Sequence, residues 1–149
     1  MEHGGVRERS HRGPLRKLAV IVSLVALTAV ACGSSGKSEG GGTAPVSLAG
    51  TTNNHGTKTA SGSMEVELDD FYFEPTFIKA KAGEKITIEV KNEGKAVHTF
   101  TSPDLGNVDE QLAAGTSKKI TVTAPQTGQA LFYCRFHQGQ GMQGAIFIG

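Results

Sequence analysis

Phe132-Tyr133-Cys134-Arg135-Phe136-His137-Gln138-Gly139-Gln140-Gly141-Met142-Gln143-Gly144 is the stretch from which the rest of the chain is read. A thiol, an imidazole and a thioether fall within the nine residues from Cys134 to Met142, and glycine surrounds them. Cys134 and His137, three apart, could share a helix face. Gly139, Gly141 and Gly144 argue against a helix, since each weakens one by about 1 kcal/mol relative to alanine. A loop between two strands fits better. Cys134 then closes the incoming strand, His137 caps the turn and Met142 starts the return strand, with glycine letting the backbone bend tightly.

Outward from this hairpin, alternation with period two dominates and no long helical pattern appears. Val66 and Leu68 alternate with Glu65, Glu67 and Asp69. Ile86, Ile88 and Val90 alternate with Lys85, Thr87, Glu89 and Lys91, and Ile120 and Val122 with Lys119, Thr121 and Thr123. Turn residues near Gly83, Gly94, Gly115 and Gly128 separate the runs. Further strands are expected at 76–80, 97–101, 129–134 and 143–148, with 104–113 as a long irregular connection carrying one helical turn. About seven or eight short strands in residues 63–149 imply an all-β domain, an antiparallel Greek-key sandwich or barrel. Phe71, Phe73, Phe77 and Phe100 are expected in its core.

The chemistry follows from the donor types. Cys134 is the one cysteine in this domain, so no disulfide within it accounts for the thiol. A soft thiolate and thioether with a borderline imidazole suit copper better than magnesium or calcium. The remaining ligand has to come from elsewhere, and His98 is the other histidine of the domain. Each residue alone has a plainer reading: Cys134 and Met142 as core, His98 as hydrogen-bonded structure. Together with His137 in a glycine-rich loop they form a trigonal two-histidine, one-thiolate set with a distant methionine. That set describes a mononuclear blue-copper electron-transfer site.

These residues also carry a family resemblance. The Cys134-x2-His137-x4-Met142 spacing within 128–148 resembles the copper loop of the plastocyanin branch of cupredoxins. Phe71-Tyr72-Phe73-Glu74-Pro75 and Lys81-Ala82-Gly83-Glu84 resemble the first half of bacterial cupredoxin domains. The resemblance implies His98, Cys134 and His137 as equatorial ligands of one copper ion, Met142 as the axial ligand, and the edge of His137 as the electron door. Two positions depart from the pattern. Thr99 stands where plastocyanins place an asparagine that braces the cysteine loop, and Arg135-Phe136 replaces a small residue and proline.

The leading function is that of a one-electron carrier cycling Cu(II) and Cu(I) between a redox protein donor and a redox protein acceptor. Copper binding and delivery to an extracytoplasmic oxidase is the alternative. Multicopper catalysis would need further histidine-rich sites, which His98 and His137 cannot build, so the chain is read as no enzyme.

The N-terminus reads as an address. Arg7, Arg9, Arg12, Arg16 and Lys17 precede an almost uncharged run from Leu18 to Ala31. That run is shorter than the roughly 18–20 residues of a spanning helix, and small residues lead into Cys32, as in an export signal. The segment 1–31 resembles a bacterial lipoprotein signal. The resemblance implies a lipid on Cys32 that ties the chain to the membrane, with plain secretion and an uncleaved anchor as the other readings; all three place the domain outside the cytoplasm, on the periplasmic or outer face. Residues 32–62, of which 18 are Gly, Ser or Thr, read as a flexible linker, and His55 within it is given no metal role. Residues 64–149 carry eight Lys/Arg against eleven Asp/Glu, which excludes a basic nucleic-acid face. The domain is taken as a monomer.

Overall fold

The computed structural model describes residues 44–149. The 1–31 leader and Cys32 lie outside them. Ten strands follow in order: β1 (Thr57–Thr59), β2 (Ser63–Asp69), β3 (Tyr72–Glu74), β4 (Phe77–Ala80), β5 (Lys85–Asn92), β6 (His98–Ser102), β7 (Val108–Leu112), β8 (Ser117–Thr123), β9 (Gln129–Tyr133) and β10 (Gln143–Ile148). They form a β-sandwich. One sheet has six strands in the order β1-β4-β10-β9-β6-β7, and the other has four in the order β3-β2-β5-β8.

Alternating sequence makes the two walls of the core. In β5, Ile86, Ile88 and Val90 are buried while Lys85 is exposed; Val66 and Leu68 in β2 and Ile120 and Val122 in β8 do the same. Ile78, Phe100, Leu112, Ala130, Phe132 and Ile146 close the core from the six-stranded sheet. Burying an Ile, Leu or Phe side chain is worth about 1.5–3 kcal/mol, so these positions fix the register of every strand they sit on. Phe73, Phe100 and Phe132 meet at the centre. Phe132 stacks on Phe100 with centroids 4.8 Å apart and stands edge-on to Phe73 at 5.0 Å.

The sheets depart from the sequence expectation in three respects. Pairing is not antiparallel throughout: β1 with β4, β4 with β10 and β2 with β5 run parallel. The chain leaves the four-stranded sheet after β3, visits the other for β4 and returns for β5, so β2 and β5 pair without being consecutive. Residues 104–113 begin on the expected helical turn, a 3₁₀ turn at Pro103–Leu105, but then form β7, which pairs along the length of β6. Phe71 is only partly buried, unlike Phe73, Phe77 and Phe100.

The linker assignment is corrected over 44–62, the part of it within the described residues. Although poor in apolar residues, 49–60 is bound to the domain through polar groups. The Gln143 side-chain amide donates to Ala49 O (2.7 Å), Thr51 O (2.8 Å) and Thr52 Oγ1 (3.0 Å). β1 then pairs with β4, and further upstream Gln129 Nε2 donates to Ser47 O at 3.2 Å. This segment is a strap, held by hydrogen bonds that composition does not reveal. Because Gln143 is buried, Gln143→Leu leaves the strap carbonyls without their donor. We expect a loss of about 1–3 kcal/mol in denaturant unfolding, together with faster protease cleavage between residues 45 and 52. Unchanged stability and cleavage would show that the strap is held by β1 alone.

Candidate metal centre

The site is built at one end of the six-stranded sheet. β6 and β9 are antiparallel with Thr101 opposite Tyr133, so His98 at the start of β6 and Cys134 just past β9 project from the same end. Buried Asn92 shapes the approach to His98. Its Nδ2 donates to Ala96 O (2.9 Å) and Leu112 O (3.0 Å), and its Oδ1 accepts from Gly94 N (3.0 Å). On the other side, Cys134 N donates to Met142 O (3.0 Å), while His137 N and Gln138 N both donate to Cys134 O. Met142 N returns to His137 O at 3.2 Å. Gly141, at φ 93°, makes the reversal in a backbone region that side chains disfavour. A Cβ there would also lie 2.8 Å from Asn53 Oδ1 of the strap. The hairpin expected from the glycine spacing is therefore present, with strand on either side.

Three expected ligands come together. His98, Cys134 and His137 each offer a donor atom, and these lie within 4.8 Å of one another. His98 Nδ1 is 3.1 Å from His137 Nδ1; Cys134 Sγ is 3.4 Å from His137 Nδ1 and 3.8 Å from His98 Nδ1. An ion about 2.0 Å from nitrogen and about 2.3 Å from sulfur, at trigonal angles, spans donor separations of about 3–4 Å. The triangle has that size, and two imidazoles with one thiolate are the donor types that copper prefers. The fit is good. Met142 is buried in the same loop, its backbone bonded to both Cys134 and His137.

The departures from the plastocyanin pattern acquire a physical account. Thr99 N–H points at Cys134 Sγ (3.4 Å), and the Thr99 hydroxyl accepts from Arg135 N (2.9 Å), so threonine braces the cysteine loop here. A hydroxyl has a single proton to give. Thr101 gives its own to Asp109 Oδ1 (2.7 Å), leaving its oxygen, 2.9 Å from Thr99 Oγ1, to accept from Thr99. Arg135 Nε donates to the same Asp109 oxygen at 2.8 Å. The circuit runs from the Arg135 backbone through two threonines and a carboxylate back to the Arg135 side chain, and each bond polarises the next. The Thr101 hydroxyl and then Arg135 hold the Asp109 carboxyl below its ordinary range, against the opposing effect of desolvation. Arg135 is thus a brace, and Phe136 is left exposed beside it.

Sequence reading missed two neighbours. Phe71 lies with its ring centroid 4.3 Å from that of His137 and 6.0 Å from that of His98. Asp70 Oδ1 is 2.8 Å from His98 Nε2. Neither sits in a motif with its partner; hydrophobicity and the resemblance of 71–75 marked Phe71 without tying it to the site, and nothing marked Asp70. Backbone N–H of Lys95, followed by the His98 ring, holds the Asp70 carboxyl below its ordinary range. Burial, followed by the charge of nearby His98, pushes the His137 imidazole down, which favours the neutral ring that a metal requires. His55 lies apart from the site, stacked on Tyr72 at 3.5 Å.

Comparison with known proteins agrees with this geometry. Residues 24–148 match the family model described as a cupredoxin-like domain. A stretch of 45 residues is 51% identical to the copper-resistant cuproprotein CopI of Pseudomonas aeruginosa, covering 30% of this chain and 25% of that relative. The chain thus spans about a quarter of that protein's length. Among solved structures, dithionite-reduced auracyanin from Roseiflexus castenholzii superposes with a TM-score of 0.52 at 22% identity, over 60% of this chain and 98% of that one. Auracyanin B gives 0.52 at 18% identity, over 66% and 96%. At such identities the two structures speak for the fold alone. With copper as the ion suited to its buried cysteine and paired histidines, this chain belongs to the cupredoxin-like family.

Proposed function

We propose that the protein is a one-electron carrier working outside the cytoplasm between two redox proteins, with Met142 as the axial ligand to copper held by His98, Cys134 and His137. The unequal exposure of these ligands carries the reading. His98 and Cys134 are buried, whereas His137 is partly exposed. Val97 and Phe136, each next in sequence to a ligand, are 42% and 49% exposed and are the large apolar side chains left on the described surface. Bound copper supplies the one-electron Cu(II)/Cu(I) couple. The edge of His137 offers the short route from the centre to a partner, and an apolar rim lets that partner approach without stripping water from charges. So small a patch favours brief, weak docking. Phe71 against His137 and the Thr99–Thr101–Asp109–Arg135 circuit keep the donors in place as charge comes and goes.

Export by the 1–31 leader, a lipid on Cys32 and a monomeric state belong to this reading, and catalysis does not. The likeness to a copper-resistant cuproprotein favours a second reading, in which the ion is buffered or delivered to an extracytoplasmic oxidase. Among the described residues a single cluster of metal-ligating groups is found, which suits a resident ion better than a relay. The test is a race. Cu(I)-loaded protein is mixed with an oxidised soluble c-type cytochrome, and separately with an apo-acceptor that chelates copper. A carrier reduces the cytochrome within seconds and keeps its copper; faster loss of copper to the acceptor would establish delivery instead.

A further inference from the structure

We propose that Asp70 is a positioning residue of the metal centre: its carboxylate fixes the His98 tautomer with Nδ1 turned toward Cys134, and its charge lowers the reduction potential by favouring Cu(II).

A neutral imidazole carries one N–H, and its place is set by what each nitrogen faces. An ionised carboxylate only accepts. With Asp70 Oδ1 at 2.8 Å, Nε2 of His98 carries the proton, and the lone pair falls on Nδ1, the atom within the donor triangle. Asp70 cannot readily turn away. Its Oδ2 accepts from Lys95 N (3.1 Å) and its Oδ1 from Ala96 N (3.2 Å), both in the loop that delivers His98. Gly94 closes that loop over the pair. A Cβ at position 94 would lie 2.6 Å from Asp70 Oδ1 and 2.9 Å from His98 Nε2, so only glycine admits the contact.

Burial adds to the effect. The His98 side chain is fully buried, while 28% of the Asp70 side chain faces solvent. One end of the ring therefore meets a carboxylate anchored at the surface, and the other meets the metal position in the dry interior. A carboxylate on the far nitrogen makes the imidazole a stronger donor, and such outer partners typically change metal affinity about 10–100-fold. A stronger donor and an added negative charge both favour the more highly charged oxidation state. Two backbone bonds alone could be explained as loop capping, but capping would move neither a tautomer nor a potential.

The inference rests on the copper site and is indifferent to whether the ion stays or is passed on, so a failed electron-exchange assay leaves it standing. Two measurements on the full chain test it. In Asp70→Asn, which keeps the size and one acceptor oxygen, the reduction potential should rise by about 59 mV. That shift equals a tenfold change in relative Cu(II) and Cu(I) affinity for a one-electron couple, and the visible absorption should remain. In the copper-free wild-type chain, imidazole ¹⁵N shifts should show His98 protonated at Nε2, and Asp70→Ala should mix the tautomers. A potential that stays or falls in a folded, coloured Asp70→Asn protein would overturn the electronic role. Protonation of His98 at Nδ1 in the wild type, a result that needs no variant, would overturn the positioning role.

Discussion

Cys134→Ser is expected to remove the intense visible absorption of the Cu(II)-loaded protein entirely, while the fold survives. The absorption needs a thiolate bonded to the ion, and Cys134 Sγ is the sulfur that stands 3.4 and 3.8 Å from the two histidine Nδ1 atoms. A serine hydroxyl is a hard donor that keeps its proton at neutral pH, so Cu(I) affinity should fall further than Cu(II) affinity. Thr99 N–H, which now points at sulfur, can still donate to the serine oxygen, and no buried group is orphaned. Unfolding midpoints should therefore move little. The experiment is a Cu(II) titration followed by visible absorption, with ascorbate bleaching as the control in wild type. An intense band persisting in Cys134→Ser would place the copper on another sulfur and dismantle the site described above.

Phe132→Ala should produce the largest loss of stability, about 3–5 kcal/mol. The ring is fully buried, stacks on Phe100 and meets Phe73 edge-on, contacts worth about 0.5–1.5 kcal/mol each beyond area burial. The surrounding side chains belong to paired strands of both sheets and cannot collapse into the space. Set against a total stability of about 5–15 kcal/mol for a domain of ordinary size, the loss is roughly a fifth or more. Phe132 lies two residues before Cys134 on the same strand face, so the cavity opens directly under the thiol. Copper spectra should broaden along with the fall in the denaturant midpoint. A loss below about 1 kcal/mol would mean that the aromatic cluster repacks freely, and would weaken the case for a rigid centre.

What could be read from sequence followed the location of the free energy. The inward faces of β2, β5 and β8 were legible because Val66, Leu68, Ile86, Ile88, Val90, Ile120 and Val122 state their burial by alternation alone. Cys134 and His137 were legible because a tight loop keeps them close in the chain, and His98 because the domain has no other histidine to bring to them. The strap at 49–60 was not, since polar composition reads as solvated chain until Gln143 is seen to hold it. β7 was missed for a related reason: Leu112 is its only fully buried side chain, and β6 supplies the rest of its order. The pairing of Asp70 with His98 lies deeper. It spans 28 positions and depends on the Glu93-to-Ala96 backbone wrapping a carboxylate, which no local pattern encodes.

The strap also decides where this domain can be held. Ser47 is fixed to Gln129, which opens β9, whereas Cys134 follows the last residue of that strand. At about 3.3 Å per residue the two poles are some 16 Å apart. Chain upstream of residue 47 therefore leaves the described domain beside the start of β9 rather than beside Cys134. Val97 and Phe136, next in sequence to His98 and His137, stay exposed beyond the far end of that strand.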